Sequence, residues 1–201
     1  MPGWDRRCLL GVVAALLGGC VVQSFYPFYT ENSKVETPAE IIGKWKPVKV
    51  ADKGNKGEKV ETAGIKPWVF SEDDLQTYDK KNVASLILIH FFKLDGILYC
   101  DFTPDSPDEA NVNIYWTVNT LPVHTLCKVE LEGDRLTLKP ISYSWMETAI
   151  EEKKVSLPYM VGKDLIFFTA TPEQWEAFLK EHGKDPEVFP EEDDFVFTRV
   201  K

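Results

Sequence analysis

The chain has 201 residues and a net charge of −9, and 44% of it is hydrophobic, with six tryptophans and twelve phenylalanines. That is apolar material enough for one filled core, at about the length of one domain plus an N-terminal extension. The acidic balance sets the chain against phosphate backbones, and no basic patch interrupts it, so nucleic acid is not an expected partner.

The chain opens with Arg6 and Arg7, an apolar run from Cys8 to Leu17, and then Gly18, Gly19 and Cys20. Ten or so apolar residues are too few to span a bilayer, so the order reads as a secretory signal. Leu17-Gly18-Gly19-Cys20 resembles the lipobox of bacterial lipoproteins. The resemblance implies cleavage between Gly19 and Cys20 and attachment of lipid, palmitate included, to Cys20. Val21 stands where an Asp would signal inner-membrane retention, which implies an outer-membrane address facing the periplasm. Each buried methylene contributes about 0.8 kcal/mol of membrane affinity, so several acyl chains make a lasting anchor. The expected division is a signal peptide over 1–19, a lipidated N-terminus and tether over 20–38, and a single β-rich domain over 39–201. Cleavage removes Arg6, Arg7 and Asp5, leaving a charge of −10. No later stretch is long and apolar enough to cross a membrane as a helix.

In the tether, Phe25, Tyr26, Phe28 and Tyr29 could lie at the membrane interface or pack on the domain. Packing is the better reading, because interfacial anchors usually come with basic neighbours. The domain then begins with a strand from Ile41 through Trp45 to Val50, a polar loop from Asp52 to Gly64, and short strands at Trp68–Phe70 and Leu75–Tyr78. Val83 to Leu94 is the longest apolar run. Asp95-Gly96 supplies a tight turn, and Ile97 to Thr103 returns from it as a hairpin. An acidic loop precedes a strand at Ile114–Val118. A second hairpin joins Val123–Leu131 to Leu136–Leu138 around Gly133-Asp134.

Ser144-Trp145-Met146-Glu147 reads as a capping box opening a short helix to about Lys153. Leu165–Ala170 is a strand. Thr171-Pro172-Glu173-Gln174 announces a second helix, with Trp175, Phe178 and Leu179 on its buried face and Gly183 at its end. Phe195–Val200 is a final strand. The fold class is mainly β (α+β): an antiparallel sheet able to curl into a barrel, with two short helices. Gly43-Lys44-Trp45 resembles the Gly-x-Trp at the first strand of lipocalins, and the Trp175 helix followed by a last strand is similar to their ending. That resemblance implies an indole plugging one end of a barrel and a hydrophobic ligand inside it.

Period two places Val123, Thr125, Cys127, Val129 and Leu131 on one face and His124 on the other, away from the main core. His124 is thus a candidate site residue, or a histidine bonded to neighbouring backbone. His90 shares a face with Leu86, Leu88 and Phe92 and reads as a core histidine with a satisfied ring; His182 ends a helix. Cys100 and Cys127 both look inward, as a disulfide in an oxidising compartment or as two buried thiols. Glu72-Asp73-Asp74 and Glu191-Glu192-Asp193-Asp194 lack calcium-loop spacing and read as solvated loops. No zinc spacing, phosphate loop or hydrolase motif is present, so neither metal nor cofactor is expected and no catalytic residue is assigned. These observations point to a lipid-anchored envelope protein whose domain is a binding or assembly module, for a hydrophobic small molecule or an envelope protein. A purely structural interaction module and an envelope hydrolase using His124 are the alternatives.

Overall fold

Two-residue alternation dictates most of the architecture. The computed structural model describes residues 21–48, 64–78, 82–105, 121–162 and 166–201. The Leu17–Cys20 motif and the strand expected at Ile114–Val118 lie outside the described residues. In chain order the elements are β1 (Gln23–Ser24), β2 (Lys34–Val35), β3 (Gly43–Pro47), β4 (Trp68–Phe70), β5 (Asp74–Tyr78), β6 (Ala84–Leu94), β7 (Ile97–Pro104), β8 (His124–Glu132) and β9 (Arg135–Pro140). There follow α1 (Tyr143–Glu151), β10 (Tyr159–Val161), β11 (Ile166–Phe168), α2 (Pro172–His182) and β12 (Phe195–Arg199).

Strands β3 to β9 each pair antiparallel with the next, and β12 fits between β9 and β3. The result is a closed eight-stranded antiparallel barrel, which leaves none of its strands as a bare edge along its full length. Asp95 and Gly96 both take positive φ, 48° and 83°, as a two-residue turn matched to strand twist requires.

One buried cluster draws on all eight barrel strands, including Trp45, Trp68, Phe70, Leu75, Ile89, Phe91, Phe102, Val129, Leu138 and Phe197. These side chains fill the interior; the rings of Trp68 and Phe197 lie 4.9 Å apart. A second cluster takes the opposite residues of β6, β7 and β8 only, Phe92, Leu94, Tyr99 and Leu126, and packs them against α1 and α2. The helices therefore cover one flank of the barrel from outside. Thr171 caps α2 through the capping box with Gln174, as the sequence indicates. The cap of α1 sits two residues earlier than expected. Ser142 has extended backbone and accepts from the Trp145 N–H at 3.3 Å, while Ser144 is already helical and its hydroxyl bonds to that of Ser142.

The segment from Val21 to Val35 is built into this sheet as a strap. Strand β1 pairs with the start of β8, beyond the point where β9 leaves it, and on its other side runs parallel to β11. Strand β2 does the same for β6 past the end of β5. Phe28 and Tyr29 are buried in the flank cluster, so packing is what these aromatics do; Tyr26 remains exposed.

Candidate functional site

Trp45 is fully buried in β3, and its indole N–H donates to the Ile41 carbonyl at 2.7 Å. Its register partner on β12 is Arg199, whose guanidinium lies 4.3 Å from the ring centroid. Arg199 also donates to the Ile42 carbonyl at 3.2 Å and to that of Glu40. At Gly43 an added Cβ would meet Arg199 Nη1 at 3.2 Å, so the glycine lets the guanidinium approach. Indole, guanidinium and three backbone carbonyls thus form one packed group where β3 meets β12. Arg199 carries no sequence motif; only its place opposite Trp45 reveals it.

Cys100 and Cys127 face each other directly across β7 and β8, inside the barrel. Both are free thiols here, and the Cys100 Sγ lies 3.7 Å from the Cys127 carbonyl. Burial pushes both thiols up, the opposite of what a reactive thiolate needs.

His124 points outward from β8, as alternation requires, into a cluster that sequence alone does not assemble. Its Nδ1 lies 2.7 Å from Oδ1 of Asp101, a fully buried carboxylate on the outer face of β7. The other oxygen, Oδ2, accepts the Phe28 N–H at 2.9 Å. With Asp101 as acceptor the ring proton sits on Nδ1. His90 stands directly opposite Asp101 on β6. Its Nδ1 is buried with no hydrogen-bond partner among the described residues, which corrects the expectation of a satisfied ring. Burial and then Lys34 hold the His90 pKa below its ordinary value, so the neutral ring is favoured. Tyr29 closes over it edge-on, and burial followed by Asp101 raises that phenol to about 12.

An aspartate–histidine pair can work as an acid–base unit, and a hydrolase would need a nucleophilic hydroxyl beside it. By register the hydroxyl opposite His124 is that of Ser24. Ser24 is fully buried, and its Oγ accepts from the Trp175 indole at 3.0 Å and from the Tyr26 N–H at 3.2 Å. The arrangement therefore pins the strap to the barrel: Asp101 holds Phe28, and Ser24 holds α2 through Trp175. The signal for Asp101 was present in the alternation of β7, where Leu98, Cys100 and Phe102 point inward and leave Asp101 outside.

Surface clefts open among the described residues. One of about 320 Å³ lies beside His90 and is lined by Glu31, Lys34, Asp73 and Thr37. A larger one of about 700 Å³ runs between α1 and residues 184–192, with Lys128, Lys139, Trp145 and Glu187 on its walls. Trp45 reaches neither, and no set of His, Cys, Asp or Glu among the described residues could hold a metal ion. No helix among the described residues is long and apolar enough to cross a membrane. Comparison with protein-family models, curated proteins and solved structures finds no match to this chain.

Proposed function

We propose that the chain is an envelope lipoprotein, cleaved after Gly19 and acylated at Cys20, whose barrel serves as a binding or assembly module through its outer surface. The observation that carries the choice of outer surface is the filled interior. Aromatic and branched side chains from all eight strands occupy the space that a hydrophobic ligand would need. The anchor rests on Leu17-Gly18-Gly19-Cys20 and the apolar run before it. On this reading the domain faces the periplasm from the outer membrane and meets an envelope protein there. A lipocalin-type carrier would share the closed barrel and the buried Trp45 but requires room inside. An envelope hydrolase would draw on His124 and Asp101, and the committed, buried hydroxyl of Ser24 counts against it.

Two measurements test the reading. Cys20→Ala should move the protein from the membrane fraction to the soluble one; a variant that still sediments removes Cys20 as the anchor. Native mass spectrometry of the chain from Val21 onward, exposed to an envelope lipid extract, should return the bare protein mass. A discrete added mass, under conditions where a known lipid binder keeps its ligand, would restore the interior-ligand reading.

A further inference from the structure

The ordered sheet begins immediately after the proposed anchor. Val21 is buried and bridges to Ser142, and Val22 is sealed into the flank cluster. A lipid chain on Cys20 would thus leave the domain no slack. Strand β1 runs parallel to β11, with Gln23 opposite Phe167 and Ser24 opposite Phe168, so the Val21 end of β1 lies at the Ile166 end of β11. Strand β10 is antiparallel to β11 and sets Met160 opposite Phe167 and Val161 opposite Ile166. Val161 and Met160 therefore stand level with the start of β1, two strands from it. At one inter-strand spacing each, that is about 10 Å.

Strand β10 is also the outer edge of the sheet among the described residues, pairing with β11 alone. All three of its residues are apolar in body and open to solvent: Tyr159 is 42%, Met160 59% and Val161 73% exposed. Proteins ordinarily guard such an edge with lysine, proline or a covering element, because a bare apolar edge recruits other chains. Pro158, whose carbonyl accepts the Thr169 N–H at 2.8 Å, guards only the start of this edge; Tyr159 to Val161 carry neither lysine nor proline. On the face shared with Met160, Phe167 is half-buried and its ring lies 5.6 Å from that of Phe25, which extends the apolar surface back to the strap.

We propose that the β10 edge is a second membrane contact, seated in the interface of the leaflet that holds the acyl chains of Cys20. The inference rests on the acylation proposed above. The glycerol and acyl boundary that receives the lipidated cysteine is the depth at which interfacial segments bury their apolar side, roughly 5–10 Å in. A ledge about 10 Å from the start of β1, which directly follows the acylated residue on this proposal, lies within reach of that depth. Met160 enters with the Phe167 and Phe25 face, Val161 follows at the open end of the strand, and the Tyr159 ring, 6.3 Å from that of Phe168, stays on the opposite face. The contact turns the flank bearing β10, β11 and β1 towards the lipid and holds the domain in one orientation.

The test uses the full acylated protein reconstituted in vesicles of phosphatidylethanolamine and phosphatidylglycerol. An environment-sensitive fluorophore is placed by Met160→Cys, and by Asp134→Cys as a reference at the distant β8–β9 turn. The buried Cys100 and Cys127 are kept from labelling by working on the native fold. The expected result is a blue-shifted emission at 160, quenched severalfold more strongly by nitroxide lipids than at 134. Acylated, vesicle-bound protein whose label at 160 stays in water overturns the membrane ledge while leaving the anchor intact. A label at 160 already shielded without vesicles, together with cross-linked pairs of the chain, assigns the edge to strand pairing between copies and also overturns it. Protein whose mass shows no acyl chains fails at the anchor, and the ledge falls with it.

Discussion

Asp101 shows how a single buried carboxylate can organise a surface segment. Its two oxygens are used, one by the His124 ring and one by the Phe28 backbone. Taking away one partner leaves a buried charge short of compensation, which costs about 3–5 kcal/mol where burial is complete. His124→Ala should therefore lower the urea midpoint and speed hydrogen exchange at the Phe28 amide, by about 2–4 kcal/mol in stability. An unchanged midpoint would mean that the pair does not hold the strap.

Asp194 behaves in the opposite sense. Burial first, and then Glu130, Glu191 and Asp193, raise its pKa from 3.8 to about 6, with Lys139 pulling the other way at 3.9 Å. A carboxyl raised on folding adds stability that is complete below its unfolded value and lost as pH rises through the folded one. Asp194→Asn should then stabilise the protein near pH 8 by about 1–3 kcal/mol, with the difference fading towards pH 4. Denaturant melts at the two pH values decide it; equal gaps at both would remove the titration as the cause.

At the scale of elements, the strap and α2 depend on each other. Oε1 of Glu176 on α2 accepts from the Thr30 N–H at 2.8 Å, the Thr30 hydroxyl at 2.8 Å and the Ser33 hydroxyl at 2.6 Å. Burial would raise this carboxyl, but those bonds outweigh it and hold the pKa below its usual value. A depressed pKa gives stability that is present above the ordinary carboxylate range and lost as pH falls through the folded value. Glu176→Ala should cost about 2–4 kcal/mol and expose the Thr30 amide to exchange at neutral pH. The wild-type strap should show the same exposure only in acid.

The strap is also where the sequence was least informative. Strands β1 and β2 have two residues each, too few for alternation to register, and their partners on β8, β11 and β6 are remote in sequence. The long strands were legible because Val83 to Leu94 is a long apolar run ending at the Asp95-Gly96 turn, and His124 to Leu131 alternates through enough residues to fix a face. The outward direction of His124 follows from that pattern, but the alignment of β7 with β8 does not. The two strands are not joined by a tight turn that would set the register, so the meeting of Asp101 with His124 needed three dimensions.

For the whole molecule, the apolar content and the turn residues Asp95-Gly96 and Gly133-Asp134 made a sheet readable, and the fold class was visible to that extent. Closure was not, because it depends on Arg199 finding Trp45 across nearly the whole domain. That closing contact has a temporal consequence. Of the eight barrel strands, the one that leaves the ribosome last, or crosses a membrane last in an unfolded chain, is β12, which seals the ring. Until β12 arrives, β3 and β9 remain two unprotected edges, and the strand that seals them pairs with β3 from about 150 residues further along the chain, a slow closure by contact order. The nascent domain is thus committed to a waiting period in which its half-made sheet is adhesive, and a companion that shields edges would govern how much of it matures.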